Sequence, residues 1–422
     1  MFYILKVNNN NHVLSDKWYP GVVMFALFRV ASHVVLLCFL LLVSAEFCQA
    51  SSLLDRNNGD FWRTTKKGAN VFNRSVDRKL IRAAKQHGIQ FFRLSVARFP
   101  SQATDFLVGN ADDYVGLEEE DVKFLRGVLD LCLDEGMPVV LTMLTLPGSR
   151  WKDLSWWETT PEEKFDIRIW KDVGFQEQAA RFWRDVALKF HDHPAIVGFN
   201  LLNEPYPEKV HGLKAGKSFR DFPQDDVQKR LFKFYDLVIK GVRSVTRDVP
   251  IILDSSWYAD AEALRYLIPH DDPNLLYSVH IYEPYNYTNF RLNGGKYKYP
   301  GKMGDMHLNK KRLLKHLQHV SAFQKANNIR SDRIIVGEFG GDRRSSGLSD
   351  YFTDLISIFK EYGWHFAFYA FRPDSWDGMD YELGEKKLPW AYWEAFERGE
   401  KFELERRDDH AAFKVLKEAL QN

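Results

Sequence analysis

From residue 60 onward the chain alternates eight times between a short run of β-branched or aromatic residues and a longer amphipathic stretch, and that alternation limits the folds open to it. The strand-like runs are GANVFN from Gly68, IQFFRLSV from Ile89, PVVLTMLT from Pro138, AIVGFNLL from Ala195, PIILD from Pro250, LLYSVHIY from Leu275, RIIVGEF from Arg333 and HFAFYAF from His365. Helical periodicity falls between them, for example over 119–135, 175–190, 226–245, 310–327 and 349–362. Gly88, Gly136 and Gly363 each stand between a helical stretch and the next strand, where a residue with positive φ ends a helix at little steric cost. The strand runs are nearly continuous in apolar residues, as a sheet covered on both faces requires. A doubly wound open sheet and a sheet closed on itself both satisfy this pattern. Eight units in one unbroken series, without a linker or an internal repeat, favour closure. The expectation is an α/β fold, a (β/α)8 TIM barrel, in one domain over residues 51–422.

The first 50 residues are of another kind. Arg29, an apolar block over 34–43 and small residues ending at Ala50 make the three-part pattern of a secretory signal, with Ser51 as the new first residue. Because 23 residues upstream of Met24 make an unusually long leader, Met24 is a candidate for the true start. The alternative is an uncleaved membrane anchor, but the block is shorter than the roughly 20 residues a span needs. Cleavage places residues 51–422 in a secreted or periplasmic location, with membrane contact only if the segment stays attached. It leaves Cys132 as the single cysteine, so no internal disulfide can form. Residues 51–422 carry equal numbers of basic and acidic side chains, which gives no footprint for a polyanion and argues against nucleic acid as a partner. A monomer is expected.

The long irregular segments, 147–172, 205–223 and 283–309, all follow strand C-termini, the face on which barrels build their sites. Polar residues at strand ends read as functional, because a strand body has to be apolar to pack. Those ends carry Arg93 on the second strand, Asn203 and Glu204 on the fourth, His280 and Tyr282 on the sixth and Glu338 on the seventh, with Trp376 beyond the eighth. Two glutamates facing each other across a barrel mouth are what acid-assisted displacement at a sugar carbon requires: one holds a proton for the leaving oxygen and the other stays ionised. If Arg93 reaches Glu338, it favours the charged nucleophile there, and Tyr282 is in place to donate a hydrogen bond to it. Glu204, in a more apolar setting, then keeps its proton as the acid. Asn203 suits a sugar hydroxyl, and Trp376 offers a flat apolar face to a pyranose ring. Trp257, after the fifth strand, is either the lining of another subsite or rim packing.

These residues resemble a known family. NEP closing strand four, HIY on strand six and GEFG at 337–340 on strand seven are similar to the catalytic strands of glycoside hydrolase family 5, cellulase-like enzymes of the retaining barrel clan. The likeness runs from about Gly68 to about Trp390. It implies Glu204 as acid/base and Glu338 as nucleophile, with Arg93, Asn203, His280, Tyr282 and Trp376 as substrate-binding residues. One departure stands out: where many members have a histidine at the end of strand three, this chain reads LTMLTLPGSRW, with Thr145 and Leu146. The implied substrate is a β-linked oligo- or polysaccharide, with β-1,4-glucan as the first expectation and mannans and glycolipid head groups open.

No metal and no cofactor is expected. The histidines form no ligand spacing with cysteine or glutamate, and no glycine-rich phosphate loop follows the first strand. The acidic cluster at 118–121 and the basic one at 310–312 read as helix starts and solvated faces. A transglycosylase on the same site and a carbohydrate-binding barrel without catalysis are the competing functions.

Overall fold

All eight runs form strands, and the strands close into one parallel barrel, which excludes the open sheet. In chain order they are β1 Lys67–Val71, β2 Phe92–Ser95, β3 Val139–Thr142, β4 Ile196–Asn200, β5 Ile251–Asp254, β6 Leu275–Ile281, β7 Ile334–Phe339 and β8 His365–Phe368. Each pairs in parallel with its sequence neighbours, and β8 pairs with β1 to seal the ring. This is a computed structural model, and it describes residues 58–151, 166–212, 218–375, 377–398, 400 and 402–422. The proposed leader and Trp376 lie outside the described residues. Among the described residues, no helix is long and apolar enough to cross a membrane.

At least one helix follows each strand, and the one that leads to the next strand or ends the chain is in turn α1 Arg78–Gln86, α2 Glu119–Asp134, α3 Val173–Phe190, α4 Gln224–Arg243, α5 Ala261–Leu264, α6 Lys310–Asn327, α7 Leu348–Tyr362 and α8 Ala411–Gln421. The starts of α1, α3, α5 and α6 are capped by short polar side chains that accept otherwise orphaned amides, as Asp77 does from Leu80 N at 2.8 Å and Asp172 from Gly174 N at 2.8 Å. Gly88, Gly136 and Gly363 have φ of 88°, 64° and 70°, so all three serve as the expected turn out of a helix. The acidic cluster opens α2 and the basic one opens α6. Each longer helix buries one stripe, such as Val122, Leu125, Val128, Leu129 and Cys132 on α2.

The periodicity missed three features. α5 is a single turn, too short to carry a repeat, and α8 was not anticipated. The segment after β6 is not irregular throughout: it holds two short helices and an antiparallel pair, Gly301–Met303 with Met306–Leu308.

Side chains alternate along a strand, so one set points into the barrel. Phe91, Val140, Val197, Ile252, Leu276, Ile335 and Ala367 form that inner cluster with Phe61 and Trp62. Trp62 Nε1 donates to Val197 O at 2.8 Å and anchors this apolar plug. Gly68 is required beside it, because a Cβ there would lie 2.5 Å from the Phe91 ring. Phe91 and Ile252 each precede a polar residue, Arg93 and Asp254, by two positions. The lower barrel is therefore filled mainly with hydrocarbon, with His365 at the start of β8 packed on Trp62, and the polar inward positions otherwise gather toward the C-terminal ends of the strands.

Candidate active site

The site begins with neighbouring strands in register. Asn70 on β1 pairs with Arg93 on β2, and His280 on β6 pairs with Glu338 on β7. All four side chains are buried. A buried guanidinium needs acceptors for its fixed fork of donors. Arg93 finds them in Glu338 Oε1 at 2.6 Å, Asn70 Oδ1 at 2.9 Å, Asn200 Oδ1 at 2.7 Å and Asn203 Oδ1 at 2.7 Å. Asn70 in turn donates to Gly337 O at 2.9 Å, which ties β1 to β7.

The second oxygen of Glu338 accepts from Tyr282 Oη at 2.7 Å. Burial pushes the Tyr282 phenol well above its ordinary range, so it remains a donor. Donors aimed at both oxygens suit a carboxylate rather than a carboxylic acid. The partners expected for Glu338 are thus in contact with it.

Glu204 is in a different environment. It lies beyond β4 with φ of 50°, a left-handed conformation that costs a non-glycine residue energy and turns its side chain toward the barrel axis. Its amide donates to Asp254 Oδ2 at 3.1 Å. Although 28% of its side-chain surface is open, the carboxyl is set deep among protein atoms. Burial first, and the Asp254 charge second, push it up to about 7. His280 reaches Glu204 Oε1 through Nδ1 at 2.8 Å and lies 3.7 Å from Glu338 Oε2. Burial lowers the imidazole from its ordinary value, so it sits neutral between the two carboxyls. One ligating atom from each of Glu204, His280 and Glu338 lies within 4.8 Å of the others. A cation accepts such spacing too, but the Arg93 guanidinium already supplies positive charge at Glu338.

Strand-end reasoning missed Asp254, Asn200, Asn70 and Tyr369. Asp254 is fully buried at the end of β5 and accepts from Asn200 Nδ2 at 3.0 Å. It stands 3.6 Å from Arg93 Nη2 and 3.5 Å from His280 Nε2, so it is the hub that links the cation, the imidazole and Glu204. The signal was present, since PIILD ends on an acid. Replacing Asp254 by Asn removes a charge that raises Glu204, so the alkaline limb of a kcat/KM profile is expected to move to lower pH; a limb that stays or rises would contradict this role. Tyr369, just past β8, is half-buried with both glutamates as electrostatic neighbours.

The departure on strand three has a structural counterpart. Thr145 is buried and accepts from Trp151 N at 3.1 Å. Together with Phe99, Asp105, Met143 and Trp151 it lines a cleft of about 310 Å³. The Met143 carbonyl accepts from Asn203 N at 2.8 Å, so the cleft adjoins the catalytic strands.

Residues 54–375 match the model of the cellulase family, glycosyl hydrolase family 5. Endoglucanase C of Acetivibrio thermocellus is 22% identical over 311 residues, covering 66% of this chain and 80% of the relative. A β-xylosidase of Phanerodontia chrysosporium is 28% identical over 178 residues, covering 40% of this chain and 31% of the relative. Among solved structures, Thermotoga maritima Cel5A in complex with cellobiose superposes with a TM-score of 0.58 at 16% identity, covering 86% of this chain and 99% of the other, a likeness of fold. With three quarters of its length matched by the family model and the barrel in place, the chain belongs to glycosyl hydrolase family 5 and is an O-glycosyl hydrolase.

Proposed function

We propose that this protein cleaves a β-linked oligo- or polysaccharide with net retention, Glu338 acting as nucleophile and Glu204 as acid and then base. The observation that carries the reading is the approach of one carboxyl oxygen of Glu204 to within 4.8 Å of one of Glu338. Retaining pairs lie about 5 to 5.5 Å apart, whereas inverting pairs leave about 6.5 to 9.5 Å for a water. Glu338, held by Arg93 and Tyr282, attacks the anomeric carbon while Glu204 protonates the departing oxygen. The glycosyl ester on Glu338 is then opened by water, from which Glu204 takes a proton.

The imidazole supports this assignment. Neutral His280 carries one ring proton; its Nε2 lies 3.5 Å from Asp254 Oδ2 without hydrogen-bond geometry, and the tautomer with the proton on Nε2 puts it on the side of that carboxylate. Nδ1 is then free to accept from protonated Glu204, which keeps the acid loaded before substrate arrives. Asn203 gives its oxygen to Arg93, so its amide nitrogen is the group for a sugar hydroxyl.

β-1,4-Glucan is the first substrate, because relatives in the family are named endoglucanases. The test is to follow the anomer first released from cello- and manno-oligosaccharides by proton NMR. The β-anomer is expected at early times; initial α-anomer, or no cleavage of any β-glycan, would overturn the reading. Transfer to added acceptor sugar in place of water would identify the transglycosylase on the same chemistry.

A further inference from the structure

Glu208 is a buried acid that takes no part in the proposed chemistry. Glu208 lies in the 3-10 turn Pro207–His211, four residues after Glu204, and is fully buried. Neither of its carboxyl oxygens has a hydrogen-bond partner of good geometry. The polar groups that face it are the Ser256 hydroxyl, its own backbone N–H and that of Trp257, with the Lys209 ammonium as the nearby charge, and burial outweighs them all. Gln228, also buried, donates to Ser256 Oγ at 3.1 Å, and its own Oε1 has no partner. A carboxyl enclosed in this way is costly to keep charged.

What it faces is equally unusual. Trp257, Tyr258 and Ala259 have φ of 53°, 60° and 59°, three consecutive non-glycine residues in left-handed conformation. Single residues visit that region at a cost, and runs of them do not form unaided. Such a segment persists only when its surroundings over-determine it. Here the turn is clamped by rings: Trp257 lies 4.9 Å from Tyr206 and 5.3 Å from Phe222, and Tyr258 tilts over Tyr206 at 4.4 Å. The strained turn presents Tyr258, 38% exposed, on the Glu204 side of the site, with Glu204 and Tyr285 among its electrostatic neighbours. The acid protonates the oxygen that departs, so the departing sugar lies on that side, away from Glu338.

We propose that Glu208 is a positioning residue for the leaving-group subsite: its buried side chain props the Trp257–Ala259 turn and so holds the Tyr258 ring where the departing or accepting sugar must stack. The subsite takes the flat apolar face of a pyranose. Burial pushes Glu208 up to about 7, so below neutrality it is chiefly the uncharged acid, the form this pocket tolerates. The inference rests on the glycosidase reading above.

The test compares two substrates with the same glycone: a β-linked oligosaccharide, whose leaving group is a sugar, and a dinitrophenyl glycoside, whose leaving group needs no stacking. Relative to the dinitrophenyl glycoside, kcat/KM of Glu208→Ala on the oligosaccharide is expected to fall roughly tenfold, the scale of one lost aromatic contact. Glu208→Gln, uncharged and of equal shape, is expected to recover most of that loss, and Tyr258→Ala to reproduce it. If Glu208→Ala does not fold, the other two variants decide. A wild-type protein that cleaves neither substrate would overturn the glycosidase reading. A wild-type protein that cleaves both, with variants that change both alike, or with Glu208→Gln no better than Glu208→Ala, would overturn the positioning role alone.

Discussion

Glu338→Gln is expected to lower kcat on an aryl β-glycoside by about ten-thousand-fold or more, with KM little changed, the scale seen when a covalent nucleophile is removed. The amide keeps the shape of the side chain and an oxygen for the Arg93 donor now 2.6 Å from Oε1, but it lacks the charge and nucleophilicity to displace even an aryloxide. The fold should survive. Arg93 retains the amide oxygens of Asn70, Asn200 and Asn203, and the Asp254 carboxylate remains 3.6 Å away to balance its charge. Circular dichroism alongside the rate assay separates loss of chemistry from loss of structure. A folded variant that turns over at the wild-type rate would remove Glu338 from the reaction.

Arg93 could be read from the sequence because it interrupts an apolar run, and a guanidinium is tolerated in a barrel only where acceptors converge on it. Glu204, Glu338, His280 and Tyr282 were legible for the same reason. Asn70 and Asn200 were not, since each lies within its run. Whether such a residue faces the barrel axis or a helix depends on the strand's register, and on β4 that register shifts at an irregularity opposite Val139 and Val140. Periodicity sees the alternation of residues but not a slip of one position. Asp254 ends its run as visibly as Glu338 does, and the same apolar-run criterion marks it. The Glu208 role had no sequence signal: Pro-Glu-Lys-Val-His looks like a solvated loop, and only the closeness of Ser256 and the left-handed turn shows that its acid is enclosed. The antiparallel pair after β6 leaves no sequence signal, because strands of three residues are too short to show a period of two.

Glu204→Ala is expected to divide substrates by leaving group. General acid help is worth about 10² to 10⁴ in rate where the departing oxygen is basic. Loss on that scale is expected for a sugar or alkyl leaving group, and little loss in the glycosylation step for dinitrophenolate, which departs without a proton. The pH profile provides a second criterion. With Glu204 raised to about 7, its acid form predominates below that pH, so wild-type kcat/KM on a sugar leaving group should decline as pH rises through about 7. The variant, having no proton to lose there, should show no such limb. The vacated space also admits a small anion, so azide should speed turnover of the dinitrophenyl glycoside by resolving the glycosyl ester on Glu338. Because that ester is attacked from the face the leaving group had occupied, the azide product must keep the β configuration. An α-glycosyl azide from this variant would mean that the two glutamates had exchanged roles, and an unchanged limb near neutrality would mean that the titrating acid is another group.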